Sequence, residues 1–274
     1  MATTTSTGAA IPRLRPRWDM VARQGVYWAT VYRRTWKGSV ITSFVVPLLY
    51  VLAMGVLLGG FVDRGSANLQ GAPSYLAFVA PGLAAAHAMQ ISAGETTWPV
   101  MGCIKWHRTY YAMVATPLAV GDVVAAHLAF VAFRLALTTG VFLLVMAPFG
   151  VFATVWGVLL AWPVLVLTGM AFAGLFFAYS ATIRSESGFA LIYRLLVIPL
   201  FLFSGAFFPI TNLGPTLQVI ARLTPLWHGV DLTRMLLLDT VRPGLALVHL
   251  VYLLVLFLGG WALAVIRLDK RLEV

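Results

Sequence analysis

Charge is scarce in this sequence: 10% of its 274 residues are charged and only 9 are acidic, where a soluble domain carries roughly 25%. Water is therefore not its main solvent, and there is no room for a sizeable soluble domain. The single cysteine, Cys103, excludes an intramolecular disulfide and lacks the companions a zinc site needs. No Gly-x-x-x-x-Gly-Lys-Ser/Thr run occurs, so the chain has no P-loop to cradle nucleotide phosphates, and any ATP that drives it binds elsewhere. His-Glu-x-x-His, paired-Asp and Gly-x-Ser-x-Gly arrangements are missing too, and the 5 histidines are scattered singly. Residues 1–17 are Thr/Ala-rich and then basic, with no short apolar run ahead of a cleavage site. They predict a disordered cytoplasmic tail rather than a cleaved signal peptide.

What is abundant is apolar surface, at 61% of residues. A bilayer core about 30 Å thick takes roughly 20 apolar residues per helical crossing. Uncharged stretches at 38–62 and 65–94 each suit one span. The stretch 135–183 fits two joined at Ala147-Pro148-Phe149-Gly150. Residues 195–221 hold a fifth that ends near Ser204 to Pro209, and 243–266 the last. The fold class expected is all-α: a polytopic membrane protein whose transmembrane domain covers 38–267 with six helices, followed by a tail at 268–274. Arg13, Arg15, Arg17, Arg23, Arg33, Arg34 and Lys37 before the first span, and Arg267, Lys270 and Arg271 after the last, predict that both termini are cytoplasmic. The basic excess, 19 Lys+Arg in all, sits beside apolar spans, so lipid headgroups rather than nucleic acid are its expected counter-charge.

Three segments are not simple spans. In 18–37, Trp18, Val21, Gly25, Trp28, Tyr32 and Trp36 recur at helical spacing, which predicts an amphipathic interfacial helix, either a plain anchor or a partner contact. Residues 101–117 are short, basic and aromatic, with Lys105, Trp106, Arg108, Tyr110 and Tyr111 ahead of Pro117; their rings suit the membrane surface or another protein equally. Residues 205–242 are too apolar for a solvated loop and are broken by Pro209, Gly214, Pro215 and Pro225. Short re-entrant helices at the outer face would reconcile these facts, with an extracellular cap as the alternative.

The polar residues inside apolar stretches leave choices open. His87 reads as a hydrogen-bonded packing residue. Arg134 and Arg194 either snorkel to the inner headgroups or line an inner vestibule, with Glu95 a partner for either. Ala80, Ala84 and Ala88, Gly169 and Ala173, and Gly260 and Ala264 have the spacing of close helix crossings. His228, Asp231 and Arg234 share a helical face in three-residue steps, which would suit a membrane enzyme acting on lipids. An ion-coupled transporter is a third class, with few midmembrane carboxylates to support it.

Four runs together resemble the ABC-2-type permeases: Tyr75-Leu-Ala-Phe-Val-Ala-Pro81-Gly82-Leu83; Arg108-Thr-Tyr-Tyr-Ala-Met-Val-Ala-Thr116-Pro117-Leu118; Ser204-Gly205-Ala-Phe-Phe-Pro209-Ile; and Leu223-Thr-Pro225-Leu-Trp-His228-Gly-Val-Asp231-Leu-Thr-Arg234. Within them the chain is most similar to the nodulation-type lipo-oligosaccharide exporters and the daunorubicin-resistance permeases. The resemblance implies the permease subunit of an exporter of amphipathic or lipid-linked molecules in a bacterial inner membrane. It implies a partner ATP-binding-cassette subunit that binds ATP and magnesium, no cofactor in this chain, and a second permease copy. It also implies that Lys105 to Thr116 docks on the ATPase and that 205–238 forms re-entrant helices at the outer mouth.

Overall fold

The computed structural model describes residues 16–59, 69 and 71–273. Most of the expected tail, and the loop residues Asp63 and Arg64, lie outside the described residues. Every regular element among those described is helical. Helix α1 (Trp18–Tyr50) runs on into a wide turn at Val51–Leu58. Its hydrogen bonding passes through Lys37 unbroken, where an interfacial helix was expected to end, but the axis turns by 46° between Trp18–Gly38 and Ser43–Met54. Helix α2 (Tyr75–Trp106) starts where Ser74 Oγ accepts from the Ala77 N–H, and is interrupted at Thr97 just before Pro99.

A six-residue helix, α3 (Thr109–Val114), precedes the antiparallel pair α4 (Val120–Met146) and α5 (Val155–Thr182). Their turn is the Ala147–Phe149 single turn closed by Gly150 at φ 64°, a left-handed position that favours glycine. Helix α6 (Ser187–Phe203) widens at Tyr193–Val197 and ends before Gly205 at φ 81°. Two short helices follow, α7 (Pro215–Arg222) and α8 (Pro225–Leu237), and then α9 (Pro243–Leu272). Each of these three opens on proline, whose missing N–H costs nothing in a first turn.

Four helices are long and apolar enough to cross a membrane: α2, Val120–Phe149, α5 and α9. The bent α1 pair supplies a fifth if it is one span. Six spans were expected; α6, at 17 residues, falls short of a full crossing by length, and it starts at Ser187, ahead of the Leu195 where a span was read. The chain is thus a multi-pass membrane protein. In α2, 83% of the most apolar window is buried, against 28% in α9, so α2 lies inside the bundle and α9 along its perimeter. Ala80, Ala84 and Ala88 are all buried, as their spacing predicts.

Helices α5 and α9 cross at glycine. A Cβ added at Gly174 would stand 2.8 Å from the Gly260 carbonyl carbon, so the backbones approach to a separation no side chain fits. Gly174→Val is expected to destabilise the bundle by about 1–3 kcal/mol through overpacking. Thermal unfolding in detergent should show the loss, while Gly259→Val, with nothing within 4 Å of its Cβ, leaves the midpoint unchanged.

Candidate functional site

The described termini meet at one end of the bundle. Asp122, at the start of α4, accepts from the Arg17 N–H at 2.6 Å and from the Ala119 N–H at 3.0 Å. Tyr111 on α3 donates to the Arg271 carbonyl in the last turn of α9 at 3.4 Å. Arg17 and Arg271 stand at these contacts, with Lys105, Arg108 and Lys270 a few residues away along the chain, so this is the basic end.

The aromatic segment at 101–117 is not one helix. Gly102–Trp106 closes α2 in a wide turn, Arg108 adopts φ 50°, and α3 sets off in a new direction. The five residues singled out there divide. Lys105 pairs with Glu186 at 3.0 Å, an exposed contact of little energetic weight. Trp106 is half-exposed and stacks on Trp98 at 6.3 Å, and Arg108 is exposed. Tyr111 is half-buried. Tyr110 is turned inward and fully buried, so it is not itself a surface for a partner. Burial pushes its hydroxyl well above the usual phenol range, so it stays protonated.

That hydroxyl lies 2.6 Å from Nδ1 of His127 on α4, whose Nε2 lies 3.0 Å from the Glu95 carbonyl. A carbonyl only accepts, so Nε2 carries the ring proton and Nδ1 accepts from Tyr110. The Glu95 carbonyl is free because its ordinary helical donor would be residue 99, which is proline. The Glu95 side chain then accepts from Nε of Arg134 at 2.9 Å. Glu95 therefore belongs to Arg134 and not to Arg194, which is exposed on α6. Arg134 is 9% exposed, its guanidinium carbon lies 5.6 Å from the Tyr32 ring centre, and its buried Nη1 has no partner among the described residues.

Trp28 of α1 stacks on Phe130 at 4.7 Å and meets His127 edge-on at 4.5 Å. The aromatic stripe of α1 is thus shared: Val21 and Trp28 are buried against α4, while Trp18 and Trp36 stay exposed. His127 was missed in the sequence, where it is one lone histidine; Pro99 four residues after Glu95 was the available signal. His87 departs from expectation in the other direction, because neither of its buried ring nitrogens has a partner among the described residues.

At the far end, three of the four runs noted in the sequence converge. Gly82 lets α2 touch the loop after α6, since a Cβ there would lie 2.5 Å from the Ala206 Cα. Tyr75 donates to the Phe207 carbonyl at 3.2 Å. Arg234 of α8 donates from Nη2 to the Gly205 carbonyl at 2.8 Å and from Nε to the Phe78 carbonyl at 3.3 Å. Pro209 is buried ahead of the Ile210–Asn212 turn, and Pro225 opens α8 under a Thr224 cap.

His228 and Asp231 are joined through a residue the sequence did not flag, His249 on α9. Its Nε2 lies 3.1 Å from Asp231 Oδ2 and its Nδ1 lies 2.7 Å from His228 Nδ1. Burial, and then His249, push the His228 imidazole down to about 4. A carboxylate only accepts, so His249 donates from Nε2 to Asp231. Arg234, expected on the same face, points instead to α2. Asp231→Ala should cost about 1–3 kcal/mol by leaving a buried ring N–H without its acceptor, read as a lower unfolding temperature. No group of three or more metal-ligating side chains occurs among the described residues.

Residues 26–238 match the family model described as ABC-2 type transporter. The chain is 36% identical over 219 residues to Nodulation protein J of Rhizobium leguminosarum bv. trifolii, covering 77% of this chain and 81% of that one. It is 34% identical over 257 residues to the Nodulation protein J of Rhizobium leguminosarum bv. viciae, covering 90% and 96%. Against that of Neorhizobium galegae the identity is 32% over 253 residues, covering 89% and 94%.

Proposed function

The chain belongs to the ABC-2 type transporter family, and from that premise we propose that it is the permease subunit of an ATP-driven exporter whose ATPase is a separate chain. Its cargo on this reading is an amphipathic, lipid-linked or drug-like molecule crossing a bacterial cytoplasmic membrane. The bent α1 pair and α6 bring the spans to six, with the basic end cytoplasmic, as the positive-inside rule asks. Helices α7 and α8 then dip into the outer leaflet, and a second copy completes the pathway.

One observation carries the reading. Trp106, His107 and Arg108 stand exposed at the basic end, while Tyr110, two residues on, is bonded into the bundle through His127, Glu95 and Arg134. A subunit that grips the exposed residues would pull on α2 and α4 through the buried ones. The membrane-enzyme reading has less behind it, because the Asp231–His249–His228 chain ends on a ring stacked against Tyr252 at 3.8 Å, with no hydroxyl or thiol bonded to it among the described residues.

Co-purification from the native membrane should recover a P-loop ATPase whose hydrolysis responds to this chain. Trp106→Ala with Arg108→Ala is expected to cut that response about tenfold, the effect of one lost interfacial anchor of roughly 1.4 kcal/mol. An undiminished response in the double variant counts against this docking face.

A further inference from the structure

Arg234 is a buried cation without a carboxylate partner. It is 6% exposed, and among the described residues it forms no ion pair. Two of its N–H groups are spent on the Phe78 and Gly205 carbonyls, and its guanidinium carbon stands 4.0 Å from the Phe78 ring centre. Dipoles, a ring face and the field of Asp231 favour the charged group, but no carboxylate oxygen bonds it among the described residues, and a buried charge only partly compensated is costly. Asp231, one turn earlier, is turned to His249.

Arg234 lines a cavity of about 420 Å³ between α8 and the start of α9, together with Asp231, Thr240, Arg242, Leu238 and Leu245. We propose that this cavity is an anion-binding site that takes a phosphate ester. A planar guanidinium with N–H groups to spare suits two oxygens of one phosphate. Arg242, exposed at the rim, supplies a second positive charge. The second oxygen of Asp231 has no partner among the described residues and accepts from a hydroxyl on the esterified group, so a glycerol or sugar phosphate fits better than a bare alkyl phosphate. Leu238 and Leu245 face the carbon skeleton. The ester can be the headgroup of an outer-leaflet lipid or part of a passing amphiphile, because both present the same chemistry. The site stands whether or not the chain exports anything.

The test is thermal unfolding of the full chain in phosphatidylcholine nanodiscs at constant ionic strength. Glycerol 3-phosphate is titrated in solution in one arm, and phosphatidylglycerol replaces part of the phosphatidylcholine in the other. A saturable rise in unfolding temperature is expected in at least one arm, with a midpoint about tenfold weaker in Arg242→Gln, as loss of one charge-assisted contact implies. Arg242→Lys keeps most of the response, and Arg234→Gln abolishes it. A rise in the first arm assigns the site to a soluble or cargo phosphate; a rise only in the second assigns it to a lipid headgroup. Should Arg234→Gln fail to fold, the exposed Arg242→Gln variant carries the test. A response equal in wild type and Arg242→Gln, or none in either arm, overturns the proposal.

Discussion

Glu95→Ala is expected to destabilise the chain by about 3 kcal/mol, the lower end of what removing one partner from a buried ion pair costs. Arg134 would remain, 9% exposed, with Nη1 already lacking a partner among the described residues and Nε newly without one. The side chains of the pair are 10% and 21% exposed, so solvent recovers part of the loss and the upper end of the range does not apply. Glu95→Leu combined with Arg134→Leu should restore most of the stability, because apolar packing replaces two desolvated charges. Unfolding midpoints of the single and double variants in one detergent check this. A double variant as unstable as Glu95→Ala would mean that the pair does more than neutralise itself.

The second large effect concerns coupling. Tyr110→Phe removes one oxygen and leaves the His127 Nδ1 acceptor buried and unpaired, at a stability cost of about 1–3 kcal/mol. Because Tyr110 is wholly inside the fold, on the proposed exporter reading the variant should still bind an ATPase subunit as well as wild type does. What it loses is the link from α3 to α4 and on to Glu95, so stimulation of hydrolysis should fall about tenfold, corresponding to roughly 1.4 kcal/mol of coupling. Binding and stimulation falling together would instead tie Tyr110 to the shape of the docking face rather than to transmission. A cycle with His127→Phe should be non-additive by about 0.5–3 kcal/mol in stability, as for any directly bonded pair.

Four of the six expected spans were legible because lipid leaves the backbone few alternatives to helix. Uncharged runs between charged residues marked α2, the later half of α4, α5 and α9, and the turn at Ala147 to Gly150 lies where it was expected. The ends of α6 were not legible, since Arg194 suggested a boundary and the helix carries it on an exposed side. The segment at 101–117 was found but its break was not: Arg108 at φ 50° is a local choice that no spacing announces. Polar pairings were the least legible part. Glu95 and Arg134 are 39 positions apart and His249 is 18 from Asp231, so which groups meet depends on helix packing. Pro99 was a partial exception, because a proline inside an apolar helix always leaves a carbonyl in want of a donor.

Cross-linking tests most directly whether a separate subunit drives this chain from its basic end. Cys103 is buried, so a thiol introduced by His107→Cys would be the one exposed at that end. It is expected to cross-link to the co-purifying ATPase with a yield that differs between ATP and ADP, while Leu217→Cys at the far end does not cross-link. Capture of the ATPase from Leu217→Cys but not from His107→Cys would contradict it.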